Sequence, residues 1–116
     1  MTIETILKEV PFFSRLSDEA LHKLAGMGET VSMEAKQVVY QEGDESENMY
    51  VILDGQVSVF KIDDQGRELE LARLAAGDFF GELALLDSRP RSATVVCLAA
   101  CEFFVINQIS FMGLLL

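Results

Sequence analysis

The chain is short of the residues that most catalytic and nucleic-acid-binding proteins depend on. Its single histidine, His22, cannot build the cluster of imidazoles and carboxylates that a metal-dependent enzyme needs. A serine nucleophile would lack a credible base, so no catalytic residues are expected. Nine Lys and Arg stand against nineteen Asp and Glu, a net charge of −10. That balance argues against nucleic-acid binding by this segment, because phosphate contacts need cations. The two cysteines, Cys97 and Cys101, lie in an apolar stretch and read as buried reduced thiols rather than a disulfide framework. No apolar run approaches the length of a membrane span. Nothing resembles a secretory leader, since Met1 to Val10 mixes Glu4, Lys8 and Glu9 into its apolar positions. A cytoplasmic location is the expectation that follows.

What is present is a core large enough for one domain over residues 1–116, half of them hydrophobic. Residues 1–28 read as helical. Thr2 can cap a helix over Ile3 to Val10, and Pro11 interrupts it. Phe12, Phe13 and Leu16 form an apolar clasp. Ser17 is a good N-cap for a second helix, with Asp18 and Glu19 at its positive end. Leu16, Ala20, Leu21, Leu24 and Met27 make its buried stripe, Gly26 and Gly28 mark its end, and His22 lies off the stripe in solvent.

Residues 29–106 change to strands and turns. Candidate strands are Thr30 to Met33, Gln37 to Gln41, Asn48 to Leu53, Gln56 to Ile62, Glu68 to Leu74, Ala93 to Leu98 and Glu102 to Ile106. Asp54-Gly55 is a two-residue hairpin signal. Glu68 to Leu71 alternates, with one face expected inside and one outside. The acidic loop from Glu42 to Glu47 reads as a solvated turn, not a calcium loop. The fold class expected is mainly β with flanking helices, an antiparallel roll or barrel with a short helical turn over Glu82 to Leu86. In residues 107–116, Asn107 or Ser110 can cap a last helix. Its apolar face would begin with Phe111, Met112, Leu114 and Leu115. So short a helix is not stable alone, and a polypeptide continuing past Leu116 is expected.

The stretch with chemical content is Phe79 to Val96. Gly81 lets a ligand approach the backbone closely. The following turn, through Glu82, Leu83 and Ala84, can aim N–H groups at an anion. Arg91 adds a fixed charge with a planar fork of donors. Between Glu82 and Thr94 two acids meet two arginines, so this window is neutral within an acidic chain. Glu82 would repel a phosphate, unless it accepts a hydrogen bond from a sugar hydroxyl. Leu83, Leu86 and Val95 are expected to serve the core, as are Phe79 and Phe80. Arg89, held before Pro90, is expected at the surface or against Asp87.

Gly81-Glu82-Leu83-Ala84 followed by Arg89-Pro90-Arg91-Ser92-Ala93-Thr94 resembles the phosphate-binding cassette of the cyclic nucleotide-binding domain family, here residues 79–95. The family includes sensor domains of the catabolite-activator and protein-kinase-A-regulatory-subunit kinds. Glu42-Gly43-Asp44 and Asp54-Gly55 match its other glycine turns, and the resemblance runs from Pro11 to Ile106. It implies a double-stranded β-helix (jelly roll) with a cassette helix and a C-terminal lid helix that is here cut short. The ligand it implies is a cyclic nucleotide. Arg91 would neutralise the cyclic phosphate, backbone N–H groups near Leu83 to Leu85 would cradle another oxygen, and Ser92 and Ala93 would add donors. Glu82 would accept from the ribose 2′-OH. Ser92 stands where members with Thr tend towards the guanine nucleotide and those with Ala towards the adenine one. Serine is in between the two, and cyclic AMP is chosen over cyclic GMP as a judgement rather than from that residue, with no further cofactor and no metal.

The partner implied is an output region or protein beyond Leu116, and a homodimer is one option for assembly. The competing reading keeps the fold but drops the ligand. The domain would then be a degenerate scaffold that docks to another protein.

Overall fold

A computed structural model describes residues 2–115. Two helices lead the chain. The hydroxyl of Thr2 accepts from the Thr5 N–H at 3.2 Å and starts α1, Ile3–Lys8. This helix stops two residues short of the expected Val10, and Pro11–Phe13 continue as a 3-10 turn. Ser17 caps α2, Asp18–Met27, by accepting from the Ala20 N–H at 3.1 Å. Leu21 and Leu24 are buried, but Met27 is 39% exposed, so the buried stripe is narrower than its spacing suggested. Gly28 follows with extended backbone. A Cβ there would lie 2.3 Å from the Phe104 ring, so close packing rather than an unusual dihedral requires glycine.

Eight antiparallel strands follow in two four-stranded sheets. They are β1 (Glu29–Met33), β2 (Val38–Tyr40), β3 (Asn48–Asp54), β4 (Gln56–Ile62), β5 (Glu68–Ala75), β6 (Phe79–Phe80), β7 (Thr94–Cys97) and β8 (Cys101–Asn107). One sheet runs β1-β8-β3-β6 and the other β2-β7-β4-β5. The chain is therefore the mainly-β roll with flanking helices that the strand pattern suggested. β6 is too short to stand out in the sequence. It pairs Phe80 with Tyr50 and Phe79 with Val51.

Asp54-Gly55 is not a hairpin. β3 and β4 belong to different sheets, and Gly55, at φ +98°, bends the chain from one to the other. A Cβ there would also meet the Ala100 carbonyl at 2.5 Å. The true hairpin joins β4 to β5, with Gly66 N–H bonded to Asp63 O at 3.0 Å. The alternation of Glu68 to Leu71 does not bury a face either. Leu69 and Leu71 are 58% and 51% exposed, because β5 is an edge strand and its outer end has no layer above it.

β3 is buried on both sides. Met49 and Val51 face a core shared with the helices, built on Leu7, Phe13, Leu21, Leu24, Phe104 and Phe111. Tyr50 and Ile52 face the space between the sheets with Val57, Phe80, Val95 and Phe103. Each such fully buried large side chain contributes about 1.5–3 kcal/mol by leaving water. Cys97 and Cys101 are both buried free thiols, and burial, then the neighbouring Cys101, pushes the Cys97 thiol up to about 12. The last helix, α3, spans Gln108–Leu115. Asn107 caps it, its Oδ1 accepting from the Ile109 N–H at 2.8 Å, and Phe111 anchors it in the helical core. Leu116 lies outside the described residues.

Candidate functional site

The segment between β6 and β7 is clasped to the loop between β2 and β3. Gly43 N–H donates to Arg91 O and Arg91 N–H to Asp44 O, both at 2.8 Å. Glu42 N–H reaches Thr94 Oγ1 at 3.0 Å, and the Ser46 hydroxyl donates to Arg89 O. The Glu42-Gly43-Asp44 turn, singled out in the sequence, therefore fixes the backbone of Arg91. Gly43 can make that turn because it sits at φ +90°.

Arg91 points inward and is only 8% exposed. Its Nη2 donates to the Asn48 carbonyl at 2.6 Å and its Nη1 to the Gly81 carbonyl at 3.4 Å. Its Nε is buried without a partner, and it makes no ion pair among the described residues. Its guanidinium carbon lies 4.0 Å from the centroid of the Tyr40 ring. Arg89, two residues earlier, is 85% exposed at its side chain and pairs with Asp87 at 2.8 Å, as expected.

Gly81 has a role the sequence did not suggest. It sits at φ +74°, and a Cβ there would lie 2.6 Å from Arg91 Nη1. Its lack of a side chain makes room for Arg91. Glu82 opens the 3-10 turn Glu82–Leu85 and is half-buried. Its carboxylate has no hydrogen bond among the described residues. It lies close enough to Tyr40 to help raise that phenol, whose shift is led by burial and opposed by Arg91.

Two residues expected in the core are outside it. Leu83 is 67% and Leu86 59% exposed, whereas Ala84 and Leu85 are buried. A 3-10 turn repeats every three residues, so Leu83 and Leu86 share one outward face while Leu85 enters the helical core. Val95 and Phe80 are buried as expected. Ala93 is buried beside Arg91, and Ser92 is exposed.

A pocket of about 310 Å³ adjoins the guanidinium. Of the candidate ligand-binding residues, only Arg91 lines it. Gly81 touches it through Arg91, while Glu82, Leu83, Ala84, Ser92 and Ala93 are not on its wall. The remaining wall includes Tyr40, Tyr50, Asn48, Asp44, Glu45 and Glu47. The sequence signal for that wall was the glycine turn at 42–44, which read as solvated. The two tyrosines carried no local signal. Among the described residues, no three His, Cys, Asp or Glu side chains group to hold a metal, and no helix is long and apolar enough to cross a membrane.

A family model described as the cyclic nucleotide-binding domain matches residues 30–116. A cAMP-dependent protein kinase regulatory subunit from Blastocladiella emersonii is 44% identical over 92 residues, 79% of this chain and 23% of that protein. This chain thus spans about a quarter of the length of the curated relatives it matches. The regulatory domain of Toxoplasma gondii protein kinase A, solved with cAMP, superposes with a TM-score of 0.92 at 31% identity, over 97% of this chain and 42% of that one. The regulatory subunit of a cAMP-independent protein kinase A from Trypanosoma brucei superposes with a TM-score of 0.84 at 30% identity, over 96% and 41%.

Proposed function

The chain belongs to the cyclic nucleotide-binding domain family, and from that premise we propose that it is a sensor domain for a cyclic nucleotide. Cyclic AMP is favoured over cyclic GMP. Arg91 meets the cyclic phosphate, Glu82 accepts from the ribose 2′-OH, and Ser92 and Ala93 close the other side. Gly81, Leu83 and Ala84 supply the backbone of the cassette. Occupancy is passed to an output region or partner protein.

The observation that carries this reading is the state of Arg91. A guanidinium left over nine-tenths buried, with one N–H orphaned and no carboxylate paired to it among the described residues, is costly unless an anion completes the site. Half-buried Glu82, without a hydrogen-bond partner among the described residues, is suited to a hydroxyl donor. The cAMP found in the Toxoplasma gondii neighbour supports the choice of ligand.

A second reading has its own support. Asp44, Glu45 and Glu47 stand on the pocket wall, where they repel a phosphate, and the Trypanosoma brucei neighbour is described as cAMP-independent. On this reading the domain is a scaffold that binds protein and no nucleotide.

Isothermal titration of the chain with cAMP, cGMP and 5′-AMP separates the two. The sensor reading expects saturable binding of cAMP, weaker binding of cGMP, and none of 5′-AMP, whose phosphate carries a second charge and is not ring-closed. Thermal melts should follow, since a ligand held only by the folded state raises the midpoint. Heat-silent titrations and unmoved melts with both cyclic nucleotides would leave the scaffold reading standing.

A further inference from the structure

β2 carries a bulge. Val38 pairs with Val96, but Tyr40 pairs with Val95, so two steps along β2 match one step along β7. In a regular strand Tyr40 would share the face of Val38, which is 42% exposed. The bulge turns Tyr40 instead to the face of Val95, which is buried. There its ring is wedged between Tyr50 at 6.0 Å and Phe80 at 5.9 Å, in a cluster that continues to Phe103. The Arg91 guanidinium lies over this fixed ring.

The arrangement solves a particular problem. A buried cation needs compensation, and a carboxylate partner would supply it. That carboxylate would also cancel the charge an incoming anion requires. Here the carbonyls of Asn48 and Gly81 accept from the guanidinium's outer nitrogens, and the aromatic face covers one flat side. Neither the carbonyls nor the ring carries a formal charge, so the groups that hold Arg91 do not neutralise it, and the acids of the same wall, Asp44, Glu45 and Glu47, form no ion pair with it among the described residues.

We infer that Tyr40 is a positioning residue, whose ring face rather than hydroxyl holds Arg91 in the orientation that receives an anionic group. This rests on the cyclic-nucleotide reading of the pocket. The hydroxyl makes no hydrogen bond among the described residues, which is consistent with the ring being the active part.

The test compares wild type with Tyr40→Phe and Tyr40→Ile by titration with cAMP and cGMP. Phenylalanine keeps the ring and should bind within about twofold of wild type. Isoleucine suits a strand but has no π face, and should bind about tenfold more weakly. A second readout needs no ligand. The Nε–H resonance of Arg91, assigned by its loss in Arg91→Lys, should be displaced by the ring current in wild type and Tyr40→Phe, and return to the ordinary arginine position in Tyr40→Ile. Isoleucine binding as well as wild type, phenylalanine losing as much as isoleucine, or an undisplaced Nε–H resonance would each overturn the inference. If wild type binds neither nucleotide, the reading of the pocket fails separately, and the resonance still decides whether the ring holds the cation.

Discussion

Two regions of the molecule hold their arginines differently. On the β4–β5 hairpin, Arg67 pairs with Asp63 and Arg73 with Glu70, each at 2.9 Å and each well exposed. Both carboxylates sit below their usual range. Asp63 is lowered first by the Arg67 backbone N–H, and Glu70 first by the Ser58 hydroxyl and then by Arg73. In the clasp between β6 and β7, Arg91 is buried and, among the described residues, has no carboxylate and leaves Nε unmatched. The hairpin pairs are complete and solvated, so screening makes them worth little. The clasp is incomplete and buried, so what is missing there matters. A fold that pairs Arg67, Arg73 and Arg89 with carboxylates at its surface, yet among the described residues leaves its most buried arginine without one, sets that arginine apart as a candidate anion contact.

The sharpest way to break this contrast is Arg91→Ala. Removing a hydrogen-bonded charge from a buried site costs about 2–5 kcal/mol of binding. Cyclic-nucleotide affinity should therefore fall by at least about tenfold in titration calorimetry. Stability should change less, because the variant no longer carries the desolvation cost of burying that charge, which offsets the lost hydrogen bonds to Asn48 and Gly81. A variant that binds as wild type does would end the assignment of Arg91 to the phosphate.

Gly81→Ala should have the next largest effect, and it acts on Arg91 without touching its charge. A side chain at φ +74° costs about 1–2 kcal/mol, which lowers the melting temperature by several degrees. The new Cβ also falls 2.6 Å from Nη1, so the guanidinium must move. Affinity should drop along with the midpoint. A lowered midpoint with unchanged affinity would show that the orientation of Arg91 is not what the ligand reads.

The same contrast explains what could be read from the chain. The roll was legible because many short strand-like runs follow one another at regular spacing, divided by turn residues. The caps at Thr2 and Ser17 were legible because capping is local. Arg91 stood out through its place after Pro90 in the cassette. Its surroundings did not, because Asn48 and Tyr40 reach it across 43 and 51 residues of sequence, and the bulge that aims Tyr40 inward is a property of pairing with β7. The same limit applies to Asp54-Gly55. A glycine turn looks alike whether the strands beside it pair or part, and only the sheet assignment shows that it joins two layers. Leu83 and Leu86 misled because hydrophobic identity was taken for burial. The 3-10 period turns both outward, and apolar side chains at a surface are common.

Arg89→Ala should have the smallest effect and calibrates the others. Arg89 lies only two residues from Arg91, yet its side chain is 85% exposed and its partner Asp87 is 49% exposed. Exposed pairs of this kind contribute about 0–1 kcal/mol, and salt screens them further. Affinity should stay within about twofold of wild type, and the melting temperature should barely move. The long-range field of Arg89 acts at the pocket only through water, so any small loss should vanish as ionic strength rises. A loss as large as that of Arg91→Ala, persisting in high salt, would mean that the cation meeting the phosphate is the one outside the clasp. Burial would then be the wrong guide to which arginine this domain uses.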